Sequence, residues 1–172
     1  MNLDAVPSDP AALRALFAQI PQSVVALCGL DASGTPHGVA ASSFTPISLE
    51  PPLVSVAMAE TSTTWPTLRR MPRVGVSLLS HSQAHTCRTL AAKGRDRFAD
   101  LRWSSTVGSS AVFVDGAAAA LDCELFQEFP AGDHGIVLLR IGSIGVADGR
   151  EPLIFHGSGF RRLAAIQPQG IQ

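Results

Sequence analysis

The chain has 172 residues, enough for one domain with a sizeable core. Its 46% hydrophobic and 16% charged residues set it apart from disordered chains, and a net charge of −1 gives no global field toward nucleic acid. Three cysteines, Cys28, Cys87 and Cys123, lie far apart with no paired spacing, which predicts free thiols that pack as small hydrophobes in a reducing compartment. The N-terminus lacks the basic and apolar regions of a signal peptide, and no apolar run approaches a membrane span. The expectation is a soluble cytoplasmic protein with no nucleic-acid or membrane partner.

Asp9-Pro10 reads as an N-cap followed by the first helical position, and Leu13, Leu16, Phe17 and Ile20 continue at helical spacing until Pro21. "SVVALCGL" (Ser23 to Leu30) is a β-rich apolar run. "DASG" (Asp31 to Gly34) is a turn, and His37 to Phe44 returns as the second strand of a hairpin. Pro51-Pro52 breaks the chain before an alternating strand from Leu53 to Ala59. Trp65, Leu68 and Met71 predict a short helix after Pro66 opens it, and Arg73 to Leu79 a further strand. Ser80 and Gln83 form a capping-box pattern ahead of a helix buried through Ala84, Cys87, Leu90 and Ala91, which ends near Gly94.

The stretch from Arg95 to Ala111 has weak periodicity and reads as loop. Apolar β-type runs follow at Ala117 to Phe129, His134 to Val146 and Leu153 to His156, with Asp148-Gly149 as a hairpin signal between the last two. The tally is about seven strands and two or three short helices without strand–helix alternation, which predicts a mainly β fold, an antiparallel barrel with helices outside. The whole chain, 1–172, reads as a single domain with a frayed tail over 164–172.

Few segments carry chemistry by spacing alone. "GSGFRR" (Gly157 to Arg162) lacks the third glycine and the strand–helix setting of a dinucleotide fingerprint. His81 and His85, four apart with Cys87 near, would suit a metal, but no third ligand is at hand and both fall on a polar helix face, so no metal is expected. Gly132-Asp133-His134 opens an apolar strand. A histidine there beside a carboxylate suits orienting a ligand or moving a proton, and equally suits an exposed turn. "HGVAASSFTPISLEPPL" (His37 to Leu53) gathers hydroxyls behind a Gly-Val-Ala-Ala lead-in, either as a polar edge strand or as a surface for a flat polar ligand.

Six segments fall in a particular order: "GVAASSFTPISLEPPL", "TSTTWPTLRRMPRVGVSLLS", "SQAHTCRTLAAKGRDRF", "ALDCELFQEF", "GDHGIVLLRIG" and "EPLIFHGSGFRRL". In that order they resemble the flavin-reductase-like family, whose fold is the FMN-binding split β-barrel, over about Ile20 to Leu163. The resemblance implies an antiparallel split barrel with a few short flanking helices. It places flavin along Ala41, Ser42, Ser43, Phe44, Thr45 and Ser48, with Gly38, Ala40 and Ala41 small enough for close approach of the ring. It puts Arg97 or Lys93 near the flavin phosphate and His134 by the nicotinamide. Phe155 and Phe160 stand where such proteins often carry a tyrosine.

The activity so implied is NAD(P)H:flavin oxidoreduction, with FMN or FAD reduced by NADH or NADPH and handed to a separate monooxygenase, by a homodimer with flavin near the subunit interface. The cofactors carry the chemistry, so no protein nucleophile is required. Two alternatives stay open: a flavin-binding electron carrier without NAD(P)H turnover, and an oxidase of the pyridoxamine-phosphate type.

Overall fold

A computed structural model of the protein describes residues 5–94 and 96–164. The tail expected to fray therefore lies, beyond Ala164, outside the described residues. Helix α1 (Pro10–Phe17) starts as the sequence predicts: the Asp9 carboxylate accepts the Ala11 N–H at 2.9 Å, and Pro10 sits in the first turn, where no N–H is needed. Its apolar stripe is not buried, since Leu16, Phe17 and Ile20 are all more than half exposed.

The strands in chain order are β1 (Gln22–Ser23), β2 (Val25–Leu30), β3 (Pro36–Ala41), β4 (Thr45–Leu49), β5 (Pro52–Ala59), β6 (Val74–Leu78), β7 (Trp103–Ser105), β8 (Val112–Val114), β9 (Ala119–Ala131), β10 (His134–Val146), β11 (Ile154–His156) and β12 (Gly159–Arg161). Helix α2 (Trp65–Leu68) precedes β6 and α3 (Ala84–Ala91) follows it. Seven strands form one antiparallel sheet in the order β3-β2-β6-β9-β10-β5-β4. Smaller sheets, β1-β11-β12 and β7-β8, lie beside it.

The hydroxyl-rich segment contains an edge strand, β4, one of the two readings its composition left open. The structure departs from the sequence reading in two places. The stretch read as loop from Arg95 to Ala111 carries β7, which pairs with β8 just beyond it. Asp148-Gly149 does make a turn, with Gly149 at φ 71°, but β10 and β11 do not pair across it; β11 joins β1 and β12 instead. The hairpin that matters is β9–β10, closed through Gly132 at φ 68°.

The apolar run of β2 is explained by burial on both faces. Val25 and Leu27 enter one cluster with Val56, Leu68, Val76 and Leu139. Their alternates Ala26 and Cys28 enter another with Leu79, Leu90, Val112 and Leu153. A strand covered on both sides loses the polar alternation of an ordinary antiparallel strand. Each fully buried leucine contributes about 1.5–3 kcal/mol relative to exposure. Helix α3 and the two small sheets cover the second face. The capping box that leads into α3 is realised both ways between Ser80 and Gln83.

At the β4 edge the main sheet is incomplete. β4 stops pairing with β5 at Thr45↔Ser55, which leaves the far end of β5 without a partner strand on that side. The Ser43 hydroxyl takes the vacant place: it accepts the Ala57 N–H at 2.9 Å and donates to the Ala57 carbonyl at 3.1 Å. One side chain thus imitates a strand and ties the end of β3 to β5.

Candidate functional site

Where β3 and β5 diverge, a groove of about 420 Å³ opens between them. Its floor is small: Ala40 and Ala41 from β3, and Ala57 and Ala59 from β5. Ser42 and Ser43 follow the first pair. The loop Thr61 to Thr64 forms a hydroxyl-bearing wall, and the end of α3 supplies Leu90 and Ala91. Lys93, Arg97 and His134 complete the lining. A planar ring fits against such alanines because no branched side chain keeps it away, and the hydroxyls match a polar edge.

The loop after β5 is set by its own hydroxyls. Ser62 accepts the Trp65 N–H at 3.2 Å, and Pro66 lies in the first turn of α2. Trp65 is buried and donates its indole N–H to Glu128 at 2.7 Å, which anchors the helix on β9. Thr64 is engaged by Arg97, whereas Thr61 and Thr63 are exposed on the groove wall. Reading the sequence did not place this loop in the site. Four consecutive hydroxyls between a strand and a proline-started helix were the available signal.

Arg97 is held by three neutral acceptors. Its Nε donates to the Ala92 carbonyl at 2.7 Å, and Nη1 donates to the Gly38 carbonyl at 2.7 Å and to the Thr64 hydroxyl at 2.8 Å. None of these groups neutralises the charge. Lys93 is exposed and extends along the same wall.

His134 reaches the groove from the start of β10, where it stands opposite Ala59 of β5. Its Nδ1 lies 2.7 Å from the Asp133 carboxylate. That hydrogen bond, then the imidazole's charge, holds the Asp133 carboxyl below the ordinary carboxylate range. The Ser43 hydroxyl is engaged by Ala57, and no hydrogen bond joins a serine to a histidine among the described residues.

Of the residues the resemblance pointed to, the structure gathers Ala41, Ser42, Ser43, Arg97, Lys93 and His134 in one groove. It does not bring Phe44, Thr45 and Ser48 there. Phe44 packs against the core, and Thr45 and Ser48 belong to the edge strand β4. Gly38 has a different task from the one expected: a Cβ on it would meet the Cys28 sulfur at 2.7 Å and the Phe98 ring at 2.8 Å, so its smallness serves packing. Phe155 and Phe160 meet edge to face at 5.7 Å beside an apolar cleft of about 280 Å³ that shares Ala40, Ala41 and Ser42 with the groove. His81 faces Glu151 at 4.0 Å and His85 is exposed. Burial pushes the thiols of Cys28 and Cys123 up to about 12, which makes them packing groups rather than nucleophiles.

A family model for the flavin reductase like domain matches residues 17–164. This chain belongs to that family. It is 35% identical to a flavin reductase of Pseudomonas putida over 158 residues, 92% of each chain. It is 31% identical over 148 residues to the reductase subunit HsaB of a flavin-dependent monooxygenase of Rhodococcus jostii, covering 86% of this chain and 75% of that one. Among solved structures, the NADH:FAD oxidoreductase SgcE6 of Streptomyces globisporus superposes with a TM-score of 0.87 at 30% identity, over 98% of this chain and 99% of that one. The antiparallel sheet and the flanking helices are therefore those of the flavin-reductase-like fold. No helix among the described residues is long and apolar enough to cross a membrane.

Proposed function

We propose that this protein is an NAD(P)H:flavin oxidoreductase that supplies reduced flavin to a separate monooxygenase. The observation that carries the reading is the groove itself: an alanine floor with hydroxyls, two cations and a histidine on its walls. The names of its relatives, a flavin reductase, a monooxygenase reductase subunit and an NADH:FAD oxidoreductase, point the same way.

With both ligands bound, hydride passes from the nicotinamide C4 to the flavin N5, chemistry that belongs to the ligands. The chain's residues bind and orient. Ala41, Ala57 and Ala59 leave room for a flat ring, and Ser42 and Thr61 to Thr64 meet its polar edge. Arg97, with Lys93 beside it, holds a phosphate by charge-assisted bonds. His134 positions the nicotinamide partner, its ring orientation fixed by Asp133. Stacking two rings at reacting distance replaces a bimolecular encounter, and this is the protein's contribution to rate.

A reductase that serves a second enzyme must release its flavin, so affinity of about −8 kcal/mol, roughly micromolar, is expected. The exposed Phe126, Phe129, Ile136 and Ile144 on β9 and β10 support a homodimer. Free thiols at Cys28, Cys87 and Cys123 suit the cytoplasm. Mixing the purified protein with FMN or FAD and NADH, and following nicotinamide absorbance, tests the activity. Catalytic loss of NADH that requires added flavin supports it. Flavin that stays bound through dialysis with no NADH loss would instead identify an electron carrier.

A further inference from the structure

Behind the hydroxyl-bearing wall of the groove, an acid lies where an apolar side chain would pack. Glu128 stands on β9 opposite Val137 of β10, and its side chain is only 21% exposed. Its partner Trp65 belongs to the apolar cluster of Met58, Leu68 and Val137. Oε1 accepts the Trp65 indole N–H at 2.7 Å. Oε2 is sealed from solvent and lies 2.9 Å from the Arg69 guanidinium, with no aligned hydrogen bond among the described residues. Taking a carboxylate out of water is costly, and a hydrophobic pair of similar volume often serves stability as well or better. Stability is therefore a weak reason for an acid at this place.

What Trp65 carries is the wall itself. Its main-chain N–H donates to the Ser62 hydroxyl at 3.2 Å, and the residue before it, Thr64, accepts Nη1 of Arg97 at 2.8 Å. Of the three acceptors that hold Arg97 among the described residues, two are main-chain carbonyls, Gly38 in strand β3 and Ala92 at the end of α3. The third, Thr64, is a side chain whose place depends on α2. That helix has only four residues, too few to stand by its own hydrogen bonds. Its position is set by what its side chains hold. Leu68, fully buried, fixes its depth, and the directional Trp65–Glu128 bond fixes its turn about that anchor.

We propose that Glu128 is a positioning residue for the phosphate grip of Arg97: through the Trp65 indole it fixes α2 and Thr64, and Thr64 orients the guanidinium. This rests on the reading of Arg97 as the partner of the flavin phosphate. The relay from β9 to the groove is short. It runs through the Glu128–Trp65 hydrogen bond, the peptide bond between Trp65 and Thr64, and the Thr64–Arg97 hydrogen bond. A guanidinium grips a phosphate best when its planar fork faces the oxygens, so a small turn of Thr64 is felt at the phosphate before it is felt at the ring.

The test compares FMN with riboflavin, the same ring without the phosphate. Dissociation constants are measured by fluorescence titration on the full chain, with the unfolding midpoint recorded for each variant. Glu128→Leu combined with Trp65→Phe replaces the polar pair by an apolar one. Its midpoint should stay near that of the wild type, while FMN weakens about tenfold or more and riboflavin no more than about threefold. Trp65→Phe alone, which keeps a ring in the core, should show the same selective loss and serves where the double variant does not fold. Glu128→Gln keeps an oxygen for the indole and should hold FMN within about threefold of the wild type. In an Arg97→Ala background FMN and riboflavin should bind alike, and the double replacement should cost FMN nothing further, since the relay has lost its end. Equal weakening of both ligands, native FMN binding by the apolar pair, or a loss in Glu128→Gln as large as in the apolar pair overturns the role of Glu128. A wild type that binds both ligands equally, or an Arg97→Ala variant that prefers FMN as the wild type does, overturns instead the reading of Arg97 beneath it.

Discussion

The two walls of the groove are held in different ways. On the β3 side, Ser43 and Arg97 are bonded to main-chain groups of distant segments, Ala57 and Gly38, and the same atoms that shape the groove also hold the fold. On the β10 side, among the described residues the His134 side chain is tied only to its neighbour Asp133, whose side chain is 95% exposed. The difference teaches that a site can combine a rigid half, where structure and binding are inseparable, with a half free to change for recognition alone.

The largest effect is expected where the two roles coincide. Arg97→Ala removes three hydrogen bonds and the cation together. Each bond to a charged donor is worth about 1.5–3 kcal/mol, so losses of that order should appear both in denaturant stability and in flavin affinity. Arg97→Lys should recover part of the affinity and little of the stability, because an ammonium lacks the planar fork. An Arg97→Ala variant with native stability would erase the contrast between the walls.

Ser43→Ala strands the Ala57 N–H and carbonyl, and a cost of about 1–3 kcal/mol is expected in the unfolding free energy. Ser42→Ala, one residue earlier with no such bond among the described residues, should stay within about 0.5 kcal/mol of the wild type while weakening flavin. Equal stabilities for the two variants would show that the clasp at Ala57 is dispensable.

On the other wall, His134→Ala should leave the unfolding midpoint nearly unchanged. The loss of one ligand bond, about 0.5–3 kcal/mol, should raise the KM for NADH from a few-fold to roughly a hundredfold. Flavin affinity should change little. Loss of flavin affinity with unaltered NADH kinetics would move His134 from the nicotinamide to the flavin.

The smallest effect concerns protons. The folded Asp133 carboxyl lies below its unfolded value, so its contribution is complete above the ordinary carboxylate range and fades as pH falls through the folded value. Removing the imidazole in His134→Ala should raise the Asp133 titration midpoint, measured by NMR on the side-chain carbon. Near neutral pH the carboxyl is ionised with or without the imidazole, so its titration should give stability no pH dependence there.

Much of the fold was legible in the sequence where local pattern and tertiary role agree. Asp9-Pro10 and the Ser80–Gln83 box specify their caps with atoms a few residues apart, and the runs that became β2, β5, β9 and β10 are long and strongly apolar or alternating. The run "SSFTPIS" was readable only in part. Its composition marks a site, but Ser42 and Ser43 face the groove while Phe44 turns to the core and Thr45 enters an edge strand, and no local signal says where the chain changes direction. Arg97 as a clamp was beyond reach for another reason: its partners Gly38 and Thr64 lie 59 and 33 residues away. The strands β7 and β8 are only three residues each, too short for a periodicity to register.

The clasp at Ala57 has a consequence beyond the groove. A strand end with free N–H and carbonyl groups is a template on which another chain can add, the usual route to edge-to-edge aggregation. The end of β5 past Ser55 would be such a template, set in a cleft that must stay open to admit ligands. By occupying both groups of Ala57, a hydroxyl from the chain's own β3 exit blunts that edge without filling the cleft. The protein keeps an opening for small molecules that is closed to foreign strands.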